Sequence, residues 1–304
     1  KFSSNKNKLP LLIKGTKYLR PIIYQEKKGS SQVKSSIMYA ALLTPGTTVI
    51  KSIPSRDHTE KIFKHCIKVP ITISKQKKYD LIKIKGLTNF RSFDYKVPGD
   101  ISSAAFFIVL TVLSNKSKII IRNVNVNKTR IGILEILKKM NANIRLVNKN
   151  FHHGENIADI HVKSTQNLKS INCPKNLNTK TIDEFLLVFL VCAKAKGISK
   201  FKGLSELRQK ESDRLKIASK FLRMIGISIK EKKDSLSIVG NKDLNLKKKS
   251  FFVKDFLKDH RVFMMSCVAA LTLGGKFKIN DKDSINSSFP EFLIKLKELG
   301  GAVK

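Results

Sequence analysis

One module recurs along this chain with a period of roughly 60–80 residues, and that self-similarity limits the fold more than any single residue does. Each copy reads as a polar loop, an apolar helix, a short strand, a second polar loop, an amphipathic helix and two closing strands. The first copy has a helix at 31–43, a strand at 47–53, a helix at about 59–66 and strands at 70–74 and 81–85. The second has a helix at 100–113, a strand at 118–124, a helix at 129–140 and strands at 144–147 and 159–162. Ile133, Leu134, Leu137 and Met140 follow helical spacing there. In the third, Thr181 and Glu184 form a capping-box pattern for a helix that runs to Lys196 and stops at Gly197. A strand at 198–202 and a helix from Lys210 to Gly226 follow, striped by Leu215, Ala218, Leu222 and Ile225. The fourth has a helix at 259–273, a strand at 276–280 and a last helix capped at Ser288 with Pro290 near its first turn. Such βαβαββ-like units cannot hide their own cores singly, so several must pack together in an α/β fold, with helices inside and sheets outside or the reverse.

Charge comes next. Lysine and arginine number 60 against 23 acidic residues, a net charge of +37. A nucleic-acid surface is one reading of this excess. The cations are instead scattered singly and in doublets, with 247–249 the longest lysine run, and no RNP-like strand or zinc-finger spacing accompanies them. The excess therefore reads as compositional bias, and it also favours small anionic substrates over nucleic acid. No apolar run reaches the ~18 residues of a membrane span, and 1–8 is too polar for a secretory signal. The four cysteines at 66, 173, 192 and 267 form no C-x-x-C pair, which fits a reducing compartment and argues against structural zinc. No residue set has metal-ligand spacing. The chain does not begin with Met, so the expectation is a processed form or a fragment.

Polar residues gather where helices begin: Ser30-Ser31-Gln32, Ser55 to Glu60, Val97 to Ala105, Asp183-Glu184, Lys210 to Arg214, and Asp259-His260-Arg261. Lys210 and Arg214 are four apart at an expected helix start, on one face with Glu211 partly beside them. Cations there oppose the helix dipole at a cost of about 0.3–1 kcal/mol each. Folding gives little reason for that arrangement, whereas anion binding does. Each residue also has a plain structural use. Asp183 suits a helix first turn, Glu211 an ion pair with Arg214 or Arg208, Ser30 an N-cap, and Arg261 an ordinary surface cation.

Ser-Ser-Gln, VPGD-x-SSAA, LR-x-KESDR, DHR and SFP occur here in order over almost the whole chain. In that set and order the chain resembles the 5-enolpyruvylshikimate-3-phosphate (EPSP) synthase family, and the SSQVKS and SRDHTE segments are closer to its bacterial subclass noted for glyphosate tolerance. The resemblance implies two globular domains built from six such units, an inside-out α/β barrel arrangement that closes on substrate. About four of the six are present. The family's opening Lys-Ser element and its Asn-Ala-Gly-Thr loop are not found before Ser30, so the chain is expected to be truncated at its N-terminus. Residues 1–96 would be the rest of a first, phosphate-binding domain, and 97–304 most of a second carrying KESDR and DHR.

The implied function is a cytoplasmic transferase of the shikimate pathway to chorismate and the aromatic amino acids, monomeric at full length. It would move the enolpyruvyl group of phosphoenolpyruvate to the 5-hydroxyl of shikimate 3-phosphate without a cofactor. That chemistry needs a base near the hydroxyl, an acid near C3 and cations for two anionic substrates. By resemblance, Asp183 lies beside the 5-hydroxyl and Glu211 donates the C3 proton. Ser30, Ser31, Gln32, Arg56, Asp183 and Lys210 bind shikimate 3-phosphate, while Gln32, Arg214 and Arg261 bind phosphoenolpyruvate, the arginines through bidentate forks. His58 and His260 are read as structural, and Asp100, Ser102 and Ser103 as caps. UDP-N-acetylglucosamine enolpyruvyl transferase shares the implied fold and donor but matches the KESDR, SSQ and DHR set less well. An inactive remnant of such an enzyme and a basic nucleic-acid-binding protein compete with this reading.

Overall fold

The computed structural model of the chain describes residues 2–5, 8–89 and 92–302. It divides into two compact units, Lys1–Tyr95 and Lys96–Lys304. The first opens with an antiparallel pair, β1 (Phe2–Asn5) and β2 (Lys8–Ile13). One complete βαβαββ module follows: β3 (Ile23–Glu26), α1 (Ser31–Leu42), β4 (Thr47–Ser52), α2 (His58–Lys61), β5 (Ile71–Lys75) and β6 (Asp80–Lys85). A π-helical turn, Ile62–Cys66, extends α2. The sheet order is β3-β4-β6-β5, with β3 parallel to β4 and the other pairs antiparallel. Alternate residues Ile50, Ile82 and Ile84 point inward and pack with Met38 and Phe63, a period-2 burial that fixes strand register.

The second unit repeats the module, with the first strand worn down in two of its three copies. In one copy α3 (Ile101–Leu113), β7 (Lys118–Asn125), α4 (Gly132–Lys139), β8 (Asn143–His152) and β9 (Glu155–Lys163) make the antiparallel sheet β7-β9-β8. A single parallel bridge, Gly99 to Val124, stands where the first strand would be. In the next copy a short α5 (Asn178–Thr181) precedes α6 (Phe185–Ala193), followed by β10 (Gly197–Lys202), α7 (Arg214–Met224), β11 (Ile229–Glu231) and β12 (Ser235–Gly240), in order β10-β12-β11. Two parallel bridges, Lys169 to Lys196 and Asn172 to Lys200, replace its first strand. The last copy runs β13 (Ser250–Val253), α8 (His260–Leu273), β14 (Lys276–Ile279) and α9 (Phe292–Glu298), with β13 parallel to β14.

The first helix of each copy in this unit is the apolar one, and α3, α6 and α8 pack on one another. All nine residues of α6 are buried. A helix that is apolar all round belongs in a core, so helices form the centre here, and strands such as β10 and β12 bury alternate residues.

Several local expectations needed correction. Thr181 is not an N-cap: it ends α5, its hydroxyl is buried without a hydrogen bond, and Glu184 takes the cap position. Lys194 already closes α6, and Gly197 instead opens β10 with a left-handed φ of 99°. The helix expected from 129 starts at Gly132, because Thr129 turns back to the side chain of Asn127 through its N–H and hydroxyl. Ser288 caps nothing at α9; it closes a 3-10 turn, Lys282–Ser287, and Glu291 precedes the helix. The turn between them is held instead by Phe289, whose ring packs against Phe107 and Phe292. By contrast Gly226 does end α7. Its N–H bonds Arg223 O and that of Ile227 bonds Leu222 O, the double closure of a Schellman motif. Leu215, Ala218, Leu222 and Ile225 are all buried.

Candidate active site

In the second unit three helix starts meet. The side chain of Asp259 caps α8 by accepting from the Arg261 N–H at 3.0 Å. That same carboxylate takes Arg214 Nε at 2.9 Å and the Ser212 hydroxyl at 2.8 Å. Arg261 reaches the start of α6, donating to the Asp183 carbonyl at 3.0 Å with its Nη1 3.9 Å from Glu184 Oε1. Arg214, the first residue of α7, lies 3.5 Å from the Asp183 carboxylate and 2.5 Å from Glu211. Lys210 Nζ stands 3.9 Å from Asp183 and 2.8 Å from Glu206. Asp183, Lys210, Glu211, Arg214 and Arg261 are thus one cluster, although two of its members come from positions 183 and 261.

The geometry changes the argument for Lys210 and Arg214. They do not share a helix face. Lys210 is extended, with φ −82° and ψ −164°, after a 3-10 turn at Ser205–Gln209. Asp213 caps α7 by accepting from Lys216 N–H at 2.9 Å, and that cap moves the helix start to Arg214. Glu211 does pair with Arg214, whereas Arg208 is committed to Asp213 and Glu231. Nor is Arg214 an unpaired cation against the dipole. It is 1% exposed and flanked by three carboxylates, yet its buried Nη1 makes no hydrogen bond among the described residues. That Nη1 faces the Asp183 carboxylate at 3.5 Å, an ion-pair contact.

Burial sets the protonation here. It works against a charged Asp259, but hydrogen bonds from Arg214, with its positive charge, and from Ser212 hold this carboxyl below its usual range. Burial pushes the Glu184 carboxyl up, opposed by Arg261 and by the Ser102 hydroxyl. Burial and the nearby Arg261 charge lower His260.

In the first unit Ser30 caps α1, its hydroxyl accepting from Val33 N–H at 3.3 Å. Ser31 is half-buried and Gln32 exposed. Gly29 takes a left-handed φ of 72°, and its N–H and that of Lys28 both go to the buried Glu26 carboxylate at 2.7 Å. The Ser31 and Gln32 N–H groups have no intrachain acceptor among the described residues, as expected at positions N1 and N2 of a helix. Arg56 is half-buried, and its carbonyl accepts from Lys34 Nζ at 2.8 Å. Lys34 also pairs with Glu60 at 2.5 Å, both side chains being buried.

Sequence reasoning passed over Lys34, Glu60, Glu184, Ser212 and Arg130. It took Ser102 for a cap, yet only Asp100 caps α3. Ser102 is buried, accepting from Arg130 at 2.7 Å and donating to Glu184 in a short bond. The available signal was Lys34 itself, a cation three residues past the Ser30–Ser31 pair on a helix whose neighbours Met38 and Ala41 are apolar.

The model of the family described as EPSP synthase (3-phosphoshikimate 1-carboxyvinyltransferase) matches residues 1–296. A 3-phosphoshikimate 1-carboxyvinyltransferase of Petrotoga mobilis is 37% identical over 285 residues, covering 93% of this chain and 64% of its own length. The protein of that name from Zymomonas mobilis is 38% identical, covering 97% of this chain and 65% of its own. Among solved structures, an EPSP synthase from Acinetobacter baumannii superposes with a TM-score of 0.84 at 31% identity, over 97% of this chain and 66% of that one. The chain therefore spans just under two thirds of the length of the curated relatives it matches.

Proposed function

The chain belongs to the EPSP synthase (3-phosphoshikimate 1-carboxyvinyltransferase) family, and from that membership we propose that it carries out, within the whole protein, transfer of the enolpyruvyl group from phosphoenolpyruvate to shikimate 3-phosphate. The observation that carries this reading is the convergence of Asp183, Lys210, Glu211, Arg214 and Arg261, five motif residues from three separate stretches, at the starts of α6, α7 and α8.

In this reading the 5-hydroxyl oxygen attacks C2 of phosphoenolpyruvate while C3 gains a proton. The tetrahedral adduct then loses phosphate as C3 gives a proton back. Asp183 accepts the hydroxyl proton, with Lys210 and Arg214 beside it. Glu211, exposed and paired with Arg214, is the proton carrier at C3. Arg214 and Arg261 hold the carboxylate and phosphate of phosphoenolpyruvate, where developing charge is stabilised. Ser30, Ser31, Gln32 and Arg56 bind the shikimate phosphate, Ser31 and Gln32 also through their N–H groups at the start of α1, and Gln32 contacts phosphoenolpyruvate as well. The first unit is the phosphate-binding portion and the second the catalytic one. The four free cysteines suit a reducing compartment, the cytoplasm, and no helix of the described residues is long and apolar enough to cross a membrane.

Phosphate release from phosphoenolpyruvate in the presence of shikimate 3-phosphate tests the reading. It should be run on the 304-residue chain and on a longer polypeptide supplying the remaining third of its relatives' length. Turnover is expected from the longer form and little from the chain alone. Asp183→Ala should lower the rate by about 100- to 10,000-fold. A longer form that is inactive, or one indifferent to both Asp183→Ala and Arg261→Ala, overturns the assignment.

A further inference from the structure

Glu184 is a buried carboxylate at the meeting of the helix starts, 1% exposed, and the proposed reaction gives it no step. Its contacts form a line. Arg130 Nη2 donates to Asp100 Oδ1 at 3.0 Å and to Ser102 Oγ at 2.7 Å, Ser102 Oγ donates to Glu184 Oε1, and that same Oε1 lies 3.9 Å from Arg261 Nη1. Hydrogen-bond polarity orients the line in one direction. A guanidinium only donates, so Ser102 must accept from Arg130 and spend its single proton on Glu184. Glu184 Oε1 is then the acceptor for Ser102, and the Arg261 guanidinium faces it at 3.9 Å, an ion-pair rather than a hydrogen-bond distance. The other contact of Arg261 Nη1 is the carbonyl of Asp183, one residue earlier in the same turn. Nη1 of Arg261 therefore meets two consecutive residues at the start of α6, Asp183 through a hydrogen bond and Glu184 through its facing charge.

We infer that Glu184, held in place by Ser102 and Arg130, is a positioning residue that aims the Arg261 guanidinium at the donor substrate. This rests on the reading of Arg261 as a phosphoenolpyruvate ligand. Glu184 acts only through Arg261. A purely structural carboxylate tying α3 to α6 would need the Ser102 bond alone. The position of Oε1 between a hydroxyl and a second guanidinium goes beyond that.

Glu184→Gln separates the two roles, because the amide oxygen still accepts from Ser102 while the charge facing Arg261 is gone. The experiment compares wild type, Glu184→Gln, Arg261→Lys and the double variant in the full-length polypeptide. It measures affinity for phosphoenolpyruvate and for shikimate 3-phosphate. Glu184→Gln is expected to weaken phosphoenolpyruvate binding by about 10- to 100-fold, the scale of losing one facing charge at 3.9 Å where the effective dielectric is about 20, with shikimate 3-phosphate changed by less than about twofold. In the Arg261→Lys background the same substitution should cost less than about twofold, since residues acting through one group are not additive. Equal losses in both backgrounds, or equal weakening of both substrates, overturn the inference.

A ligand-free readout keeps the two readings apart. The Arg261 guanidinium 1H–15N signal, assigned by its loss in Arg261→Lys, should shift and exchange faster in Glu184→Gln. If Arg261→Lys leaves phosphoenolpyruvate affinity intact, the ligand assignment falls, and the spectrum alone decides positioning. A signal unmoved by Glu184→Gln then overturns it.

Discussion

Replacing Asp259 with Asn tests how the catalytic cluster is held. The carboxylate is fully buried and accepts four hydrogen bonds: Ser212 Oγ at 2.8 Å, Arg214 Nε at 2.9 Å, Arg214 Nη2 at 3.3 Å and the Arg261 N–H at 3.0 Å. Asn is as good an N-cap as Asp, so with its one oxygen toward the Arg261 N–H the start of α8 survives, while the charge goes and an amide nitrogen replaces the acceptor that faces Ser212 and Arg214 Nε. What remains is a buried Arg214 short of one of its three anionic neighbours. Removing one partner of a buried pair costs about 3–5 kcal/mol. Asp259→Ala also loses the cap and should cost about 1 kcal/mol more. The chain has no tryptophan, so far-UV circular dichroism in urea is the natural probe. An unchanged urea slope with a lower midpoint would show a true loss of stability. The pH dependence has a definite sign. Asp259 has its folded pKa held below the unfolded value of about 3.9, so its contribution is present above that value and lost as pH falls through the folded one. Wild type should therefore converge on Asp259→Asn below about pH 4. A variant within about 1 kcal/mol of wild type at pH 7, a loss well below that expected for an uncompensated buried charge, refutes the reasoning.

Two further outcomes test the packing. A Cβ added at Gly240 would run into the carbonyl oxygens of Ala195 and Cys192, and one at Gly86 into those of Ala41 and Thr44. Neither glycine has a positive φ, so chain entropy alone would make Gly240→Ala stabilising by about 0.4–1 kcal/mol. The clash instead predicts a loss of about 1–3 kcal/mol, and urea melts that show a gain would remove the close approach from the argument. Burial pushes the thiols of Cys192 and Cys267 up to about 12. At pH 8 such a thiol is about 0.01% thiolate, so a disulfide reagent should label both only after unfolding. Native-state labelling at the rate of a free thiol would contradict their burial.

The repeat was legible because burial follows period. The all-apolar run 185–193 could only be a central helix or a buried strand, and its length favoured the helix that forms. The alternating Thr48, Ile50 and Ser52 of β4 point inward as a strand requires. The worn first strands were not legible. A parallel partner reduced to one or two bridges leaves no alternation to read, as at Gly99 and at Lys169 to Asn172. Helix starts failed for a related reason. Thr181, Ser288 and Lys210 each offered a plausible local beginning, but Glu184, Glu291 and Asp213 took the positions, and only at Asp213 does a side-chain cap explain the choice.

The candidate site shows the same division between local and long-range information. Motif order identified Asp183, Lys210, Glu211, Arg214 and Arg261, but a shared helix face is not what brings Lys210 and Arg214 together. Their proximity comes from an extended residue and a helix start that both face Asp183. The residues that sequence reasoning missed pair across long separations: Ser102 with Glu184, Ser212 and Arg214 with Asp259, Lys34 with Glu60. Each is a buried polar group, and burying one without a partner costs about 1–3 kcal/mol or more. No spacing rule within one helix can reveal such a partner 26 to 82 residues away. These buried pairs join the start of α3 to that of α6 and the start of α7 to that of α8, and the Arg261 bond to the Asp183 carbonyl links the two sets. They make the exposed charges of the cluster a fixed arrangement rather than a set of mobile surface side chains.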